Sequence, residues 1–225
     1  MALILNLETA TTVCSVALGS NGALLFLEEM NEDYTHAEKL TLYIEHVLNK
    51  EGFKLNDLDA IAISKGPGSY TGLRIGTSTA KGLCYALNKP LIAINTLRSM
   101  ANGIVDSAKE QYYCPMIDAR RMEVYCAIYD FKNKEIRKTA AEIIDEHSFS
   151  ELLEKNKIVF FGDGAAKCKT KLTHHHAIFM DDVFNSAKNM LSLSQLAFDS
   201  GHFEDVAYFE PYYLKDFIPG IKKII

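Results

Sequence analysis

No two cysteines in these 225 residues stand at C-x-x-C spacing, and the five present, Cys14, Cys84, Cys114, Cys126 and Cys168, are odd in number. That pattern disfavours a zinc ribbon or a dithiol redox motif and fits reduced thiols in a cytosol. No His-x-x-x-His or His-x-x-Glu-His occurs, so the paired ligands of a helical metallopeptidase site are missing. G-x-S-x-G is missing as well, which removes the nucleophile elbow of a hydrolase. Basic side chains are in deficit: 24 Lys and Arg against 29 Asp and Glu leave a net charge of −5. A protein that grips nucleic acid unaided normally carries a basic footprint. Nothing approaches the roughly 20 consecutive apolar residues that span a bilayer. The opening MALILNLETATT lacks a basic lead-in and reads as a buried strand, not a signal peptide. A cytoplasmic protein without a membrane role is expected.

What is present suits an α/β protein. Hydrophobic residues make up 48% and charged residues 24%, close to globular averages, and a chain of this length buries a core without disulfide or metal staples. Three strands are expected at residues 2–7, 12–18 and 23–28, the last two joined by the turn Gly19-Ser20-Asn21-Gly22. Leu40, Ile44, Val47 and Leu48 recur at helical spacing within 36–50, with Gly52 as a stop. A strand at 58–64, a glycine turn with a helix to about 87, and a strand at 91–95 complete a β-β-β-α-β-α-β order. That order starts again with strands at 113–117, 123–129 and 135–140. A helix near 149–155, strands at 158–161 and 177–180, and a helix over 187–200 follow. Two structurally repeated halves, 1–105 and 106–225, are the expected organisation, with an irregular aromatic and then Lys-rich tail.

The segment KGPGSYTGLRIGTSTAKGLCYAL at 65–87 is the most distinctive. Glycines between a strand and a helix can cradle a phosphate. Yet no Lys follows at Walker A spacing, and as a Rossmann fingerprint the third glycine comes one residue late and Asn95 stands where an acidic ribose ligand belongs. Gly72, Gly76, Ala80 and Cys84 instead recur every four residues and give the helix one small-residue face. Such a face lets another surface come close, and two interior glycines cost about 1 kcal/mol each relative to alanine, which close packing must offset. Whether the packing is within the chain or against a second protein stays open at this level. Glu8 and Asp118 each follow the first strand of their half. They are weak candidates for holding a magnesium nucleotide, against a turn-forming role through side-chain to backbone hydrogen bonds. His174, His175 and His176 are consecutive, a spacing that rarely converges on one ion, and a solvated loop is expected there.

The stretches LNLETATTVCSVAL at 5–18, HAEKL at 36–40, the 65–97 segment, DARRMEVY at 118–125 and PYYLK at 211–215 resemble the TsaB family, also called YeaZ, within the actin-like ATPase superfamily. The resemblance implies a duplicated actin-like, ribonuclease H-like (ASKHA) fold with mixed sheets. It also implies a role in forming N6-threonylcarbamoyladenosine in tRNA as a non-catalytic partner without a cofactor. The implied partners are a TsaD-type transferase and, through the assembly, a TsaE-type ATPase; a homodimer is a further possibility, and tRNA is met only indirectly. Docking through the helices of the first half makes His36, Leu42, Tyr43, Gly72, Leu73, Gly76, Ala80 and Leu83 the expected interface, with Leu42, Tyr43 and Leu73 exposed. TsaD-type relatives carry a His-x-x-x-His site where this chain reads Thr96 and Met100, residues that do not replace imidazole ligands. Arg120 and Arg121 are expected to fill the cleft, to pair with Glu8 or Asp118, or to meet a partner's anion. The competing reading is an ATP- and magnesium-dependent transferase or kinase.

Overall fold

The computed structural model describes residues 2–31, 36–106 and 108–215; Lys222 and Lys223 of the expected basic tail lie outside them. β1 (Leu3–Glu8), β2 (Val13–Ser20) and β3 (Ala23–Asn31) form an antiparallel meander. β1 is buried at every position and β2 at all but its last, so they read as apolar runs, whereas β3, at the sheet edge, is fully buried at none. α1 (His36–Lys50) covers this meander with Leu40, Ile44, Val47 and Leu48, as its spacing requires. β4 (Ala60–Gly66), α2 (Tyr70–Leu87) and β5 (Leu91–Asn95) add parallel strands on the other side of β1. The sheet order is β3-β2-β1-β4-β5.

α3 (Thr96–Asn102) leads into β6 (Tyr112–Asp118), β7 (Glu123–Tyr129) and β8 (Glu135–Ile143). α4 (Ser150–Leu153), β9 (Ile158–Phe161) and β10 (Ala177–Met180) follow. The second sheet runs β8-β7-β6-β9-β10. Substituting the sixth strand for the first and so on gives the first sheet's order, with the same antiparallel pairs and the same parallel pairs. The expected duplication is therefore present at the level of topology.

Two details depart from the sequence expectation. α3 was not expected; it starts directly at the end of β5, capped by the Asn95 side chain accepting from Arg98 N at 3.1 Å, and its seven residues are too few to show a clear period. α4 has four residues where a longer helix was expected. After β10 the chain returns to the first sheet. A 3-10 turn at Ala187–Met190 and α5 (Leu191–Asp199) place Met190 and Leu193 against Ile4, Ile92 and Ile94, and Ala187 and Leu191 against Ala17. α3 packs between the halves, where Leu97, Met100 and Ala101 share a core with Tyr113, Ile117, Tyr129 and Phe161. Among the described residues, no helix is long and apolar enough to cross a membrane.

Candidate functional site

The small-residue face of α2 points into its own chain. A Cβ on Gly72 would sit 2.1 Å from the Thr9 carbonyl oxygen, and one on Gly76 would sit 2.2 Å from Thr9 Oγ1 and 2.9 Å from Ile63 Cδ1. Thr9 Oγ1 donates to the Gly72 carbonyl at 2.9 Å. At the start of the helix, Ser69 N donates to Ala10 O at 2.6 Å and Ser69 Oγ accepts from Gly72 N. The helix thus lies at backbone contact distance on the β1–β2 hairpin loop, and this contact offsets the two interior glycines.

That geometry corrects the expected interface. Gly72, Leu73, Gly76 and Ala80 are buried against the sheet and hairpin, and His36 and Tyr43 are buried under α1, so Tyr43 and Leu73 are not exposed. His36 Nε2 donates to the Val13 carbonyl at 3.2 Å, a structural bond across the sheet. Leu83 is half-buried and only Leu42, 56% exposed, stands clear. The outward face of α2 carries features that the four-residue spacing concealed: Tyr85 is 85% exposed, and a Cβ on Gly82 would meet no atom within 4 Å. Gly82 and Tyr85 are three apart and share a face; their spacing was the available signal.

The PYYLK tail fastens this region to the second half. Lys81 Nζ donates to Ala207 O and Phe209 O, and the Phe209 ring enters the first core. Tyr212 N donates to Lys65 O at 2.7 Å, Arg74 sits 4.1 Å over the Tyr70 ring, and Tyr70 and Tyr213 are 5.0 Å apart. Lys215 then pairs with Glu123 of β7.

Glu8 and Asp118 occupy equivalent places and both do the turn-forming work. Glu8 Oε1 accepts from Ala10 N at 2.7 Å and Asp118 Oδ1 from Arg120 N at 2.7 Å, each two residues on. Their surroundings differ. Glu8 is fully buried, and burial pushes its carboxyl up from 4.5 to about 7, opposed in part by the Ala10 amide, Ser64 and Asn185. Glu8 Oε2 has no hydrogen-bond partner among the described residues, and Asn185 Nδ2 is likewise without one. Asp118 is half exposed and pairs with Lys167 Nζ at 2.5 Å; Lys167 also donates to Glu123 O. The expected arginine partners are therefore replaced by Lys167. Among the described residues neither Arg120 nor Arg121 forms an ion pair, and both are exposed in the left-handed region at φ 72° and 49°.

Thr96 and Met100 are committed to packing. Thr96 Oγ1 is bonded to Ser64 Oγ at 2.7 Å and accepts from Gly66 N at 3.0 Å; Met100 is buried between the halves. The five cysteines are free and buried, and burial pushes Cys14 and Cys168 to about 11 and Cys84 to about 12, far from thiolate reactivity. An open crevice at the carboxyl ends of β4 and β5 is lined by Lys65, Asn95, Arg98, Leu196 and His202, with no carboxylate in its lining.

Two sheets of one strand order, joined through α3, give an α/β protein with a duplicated, actin-like fold. The activator of 2-hydroxyisocaproyl-CoA dehydratase from Clostridium difficile, solved with bound ADPNP, shares this fold at TM-score 0.50 and 9% identity, over 88% of this chain and 95% of its own. Residues 32–220 match the family model described as TsaD, tRNA N6-adenosine threonylcarbamoyltransferase. The tRNA threonylcarbamoyladenosine biosynthesis protein TsaB of Haemophilus influenzae is 30% identical over 224 residues, 95% of this chain and 93% of its own length. YeaZ from Pseudomonas aeruginosa superposes with TM-score 0.82 at 27% identity, over 95% of this chain and all of its own. The chain belongs to the TsaB/YeaZ family, a branch of the TsaD-related proteins.

Proposed function

We propose that this chain acts in the biosynthesis of N6-threonylcarbamoyladenosine in tRNA as a non-catalytic subunit that docks a TsaD-type transferase, in the cytoplasm. The supporting observation is the outward face of α2. It presents a Tyr that is 85% exposed beside a glycine in open space, a helical position where nothing in the chain compensates the missing side chain. The packing of Thr96 and Met100 agrees, since both side chains are already spent on the core at the positions matching the relatives' histidines. A TsaE-type ATPase would join through that complex, and a homodimer through the same face would compete with it. We also propose the division into subdomains 1–105 and 106–225, amended by residues 187–213, which pack on the first half.

Copurification with the host's TsaD-like protein tests docking. Gly82→Arg and Tyr85→Asp should fold normally, because neither position touches the chain's interior, yet lose the complex. Retention of a full-strength complex by both would overturn the docking face. The crevice bearing Lys65, Arg98 and His202 at the carboxyl ends of β4 and β5 supports the second reading of a nucleotide-dependent transferase or kinase. Tight magnesium-dependent ATP binding by the isolated chain in calorimetry would favour it over the accessory role.

A further inference from the structure

We propose that His174, His175 and His176 together bind one late first-row divalent metal ion, of the zinc and nickel class, at the outer edge of the second sheet. Consecutive residues of an extended strand would send the middle ring to the opposite side. Here the chain turns instead: Ala177 N donates to His174 O at 2.8 Å, closing a four-residue turn just before β10. The three rings lie 4.1 to 5.3 Å apart, and one nitrogen from each falls within 4.8 Å of the others. No other such cluster of His, Cys, Asp or Glu occurs among the described residues.

Second contacts hold the ligands in place. His176 Nδ1 lies 2.7 Å from the Leu153 carbonyl, which only accepts, so Nδ1 carries the hydrogen and Nε2 presents its lone pair. Fixing the tautomer through a carbonyl on the far nitrogen is how metal-bound histidines are usually oriented. His176 O is tied to Ile158 N of β9 at 3.0 Å, which anchors the turn to the sheet. His174 Nδ1 accepts from His176 N at 3.2 Å, a long bond that metal ligation by this nitrogen would replace. His175 is exposed and its ring has no hydrogen bond among the described residues, so only its ring contacts with His174 and His176 oppose a rotation. Zinc bound at about 2.1 Å in tetrahedral geometry places its donors about 3.4 Å apart, within reach of a rotation of that ring. Three imidazoles without a carboxylate suit zinc, nickel or copper over magnesium or calcium, and the fourth position stays open to water or to a partner's donor.

The test uses untagged, chelator-treated, full-length protein titrated with zinc chloride in a calorimeter, with metal content measured after dialysis. One zinc per chain is expected near neutral pH. His175→Ala leaves the fold contacts untouched and should weaken binding at least about tenfold, since losses even outside the ligand shell cost that much. Replacing all three histidines by Asn should abolish it. No bound zinc in the parent protein, or the same affinity and stoichiometry in His175→Ala or in the triple variant, would overturn the site.

Discussion

The two halves share a strand order but close their hairpins differently. In the first, an 18-residue helix presses onto the β1–β2 loop, and Glu8 at the head of that loop is fully buried. In the second, the connection from β9 to β10 contains only a three-residue 3-10 turn, Ala166–Cys168, and Asp118 stays half exposed beside Lys167. The same turn-forming carboxylate therefore stores desolvation in one half and is relieved by an ion pair in the other. Burial makes the difference, because low dielectric raises the cost of an ionised group only where water is excluded.

The largest expected effect comes from forcing α2 away from the hairpin. Gly76→Val drives methyl groups into Thr9 and Ile63, and should destabilise by about 4 kcal/mol or more, read as loss of a cooperative urea transition. A native-like transition would show that the helix can lift from the hairpin without penalty.

Next in size is Glu8→Gln. With the folded-state value raised from 4.5 to about 7, the folded protein holds a proton that the unfolded chain has released. Stability is then fully present below about pH 4.5 and falls as pH rises toward 7. The variant should lack this fall and be more stable than the parent above neutrality by about 3 kcal/mol at most. Parallel urea midpoints for both proteins across this range would contradict the buried, protonated state.

Gly82→Ala separates the two faces of α2. It meets no atom within 4 Å, so it should stabilise by about 1 kcal/mol, raising the melting temperature by about 2 to 4 °C for a chain of this size. A loss of stability would mean that the outer face is tighter than it looks. Smallest is Asp118→Asn, which removes an exposed pair and should cost under about 1 kcal/mol. A pH-dependent effect as large as that of Glu8 would erase the contrast between the hairpins.

Most strands were legible because a sheet buried on both faces demands continuous apolar runs, as in LILNLE and IVFF. α1 was legible because one buried face imposes a helical period. α3 was not: its seven residues follow β5 without a break, and fewer than two turns carry no measurable period. Six of the eight residues expected at the interface proved to be buried within the chain, for a related reason. A stripe of small residues looks the same in sequence whether a partner or the chain's own loop approaches it.

By itself, the sequence determined the repeated strand order, the family and the carboxylate at the head of each half, since all three depend on local patterns and residue identity. Only the tertiary structure decided which face of α2 is free, which carboxylate is dry and that three adjacent imidazoles meet. Each of those depends on contacts between residues far apart in the chain, or on a turn closing the backbone, and no local spacing encodes them.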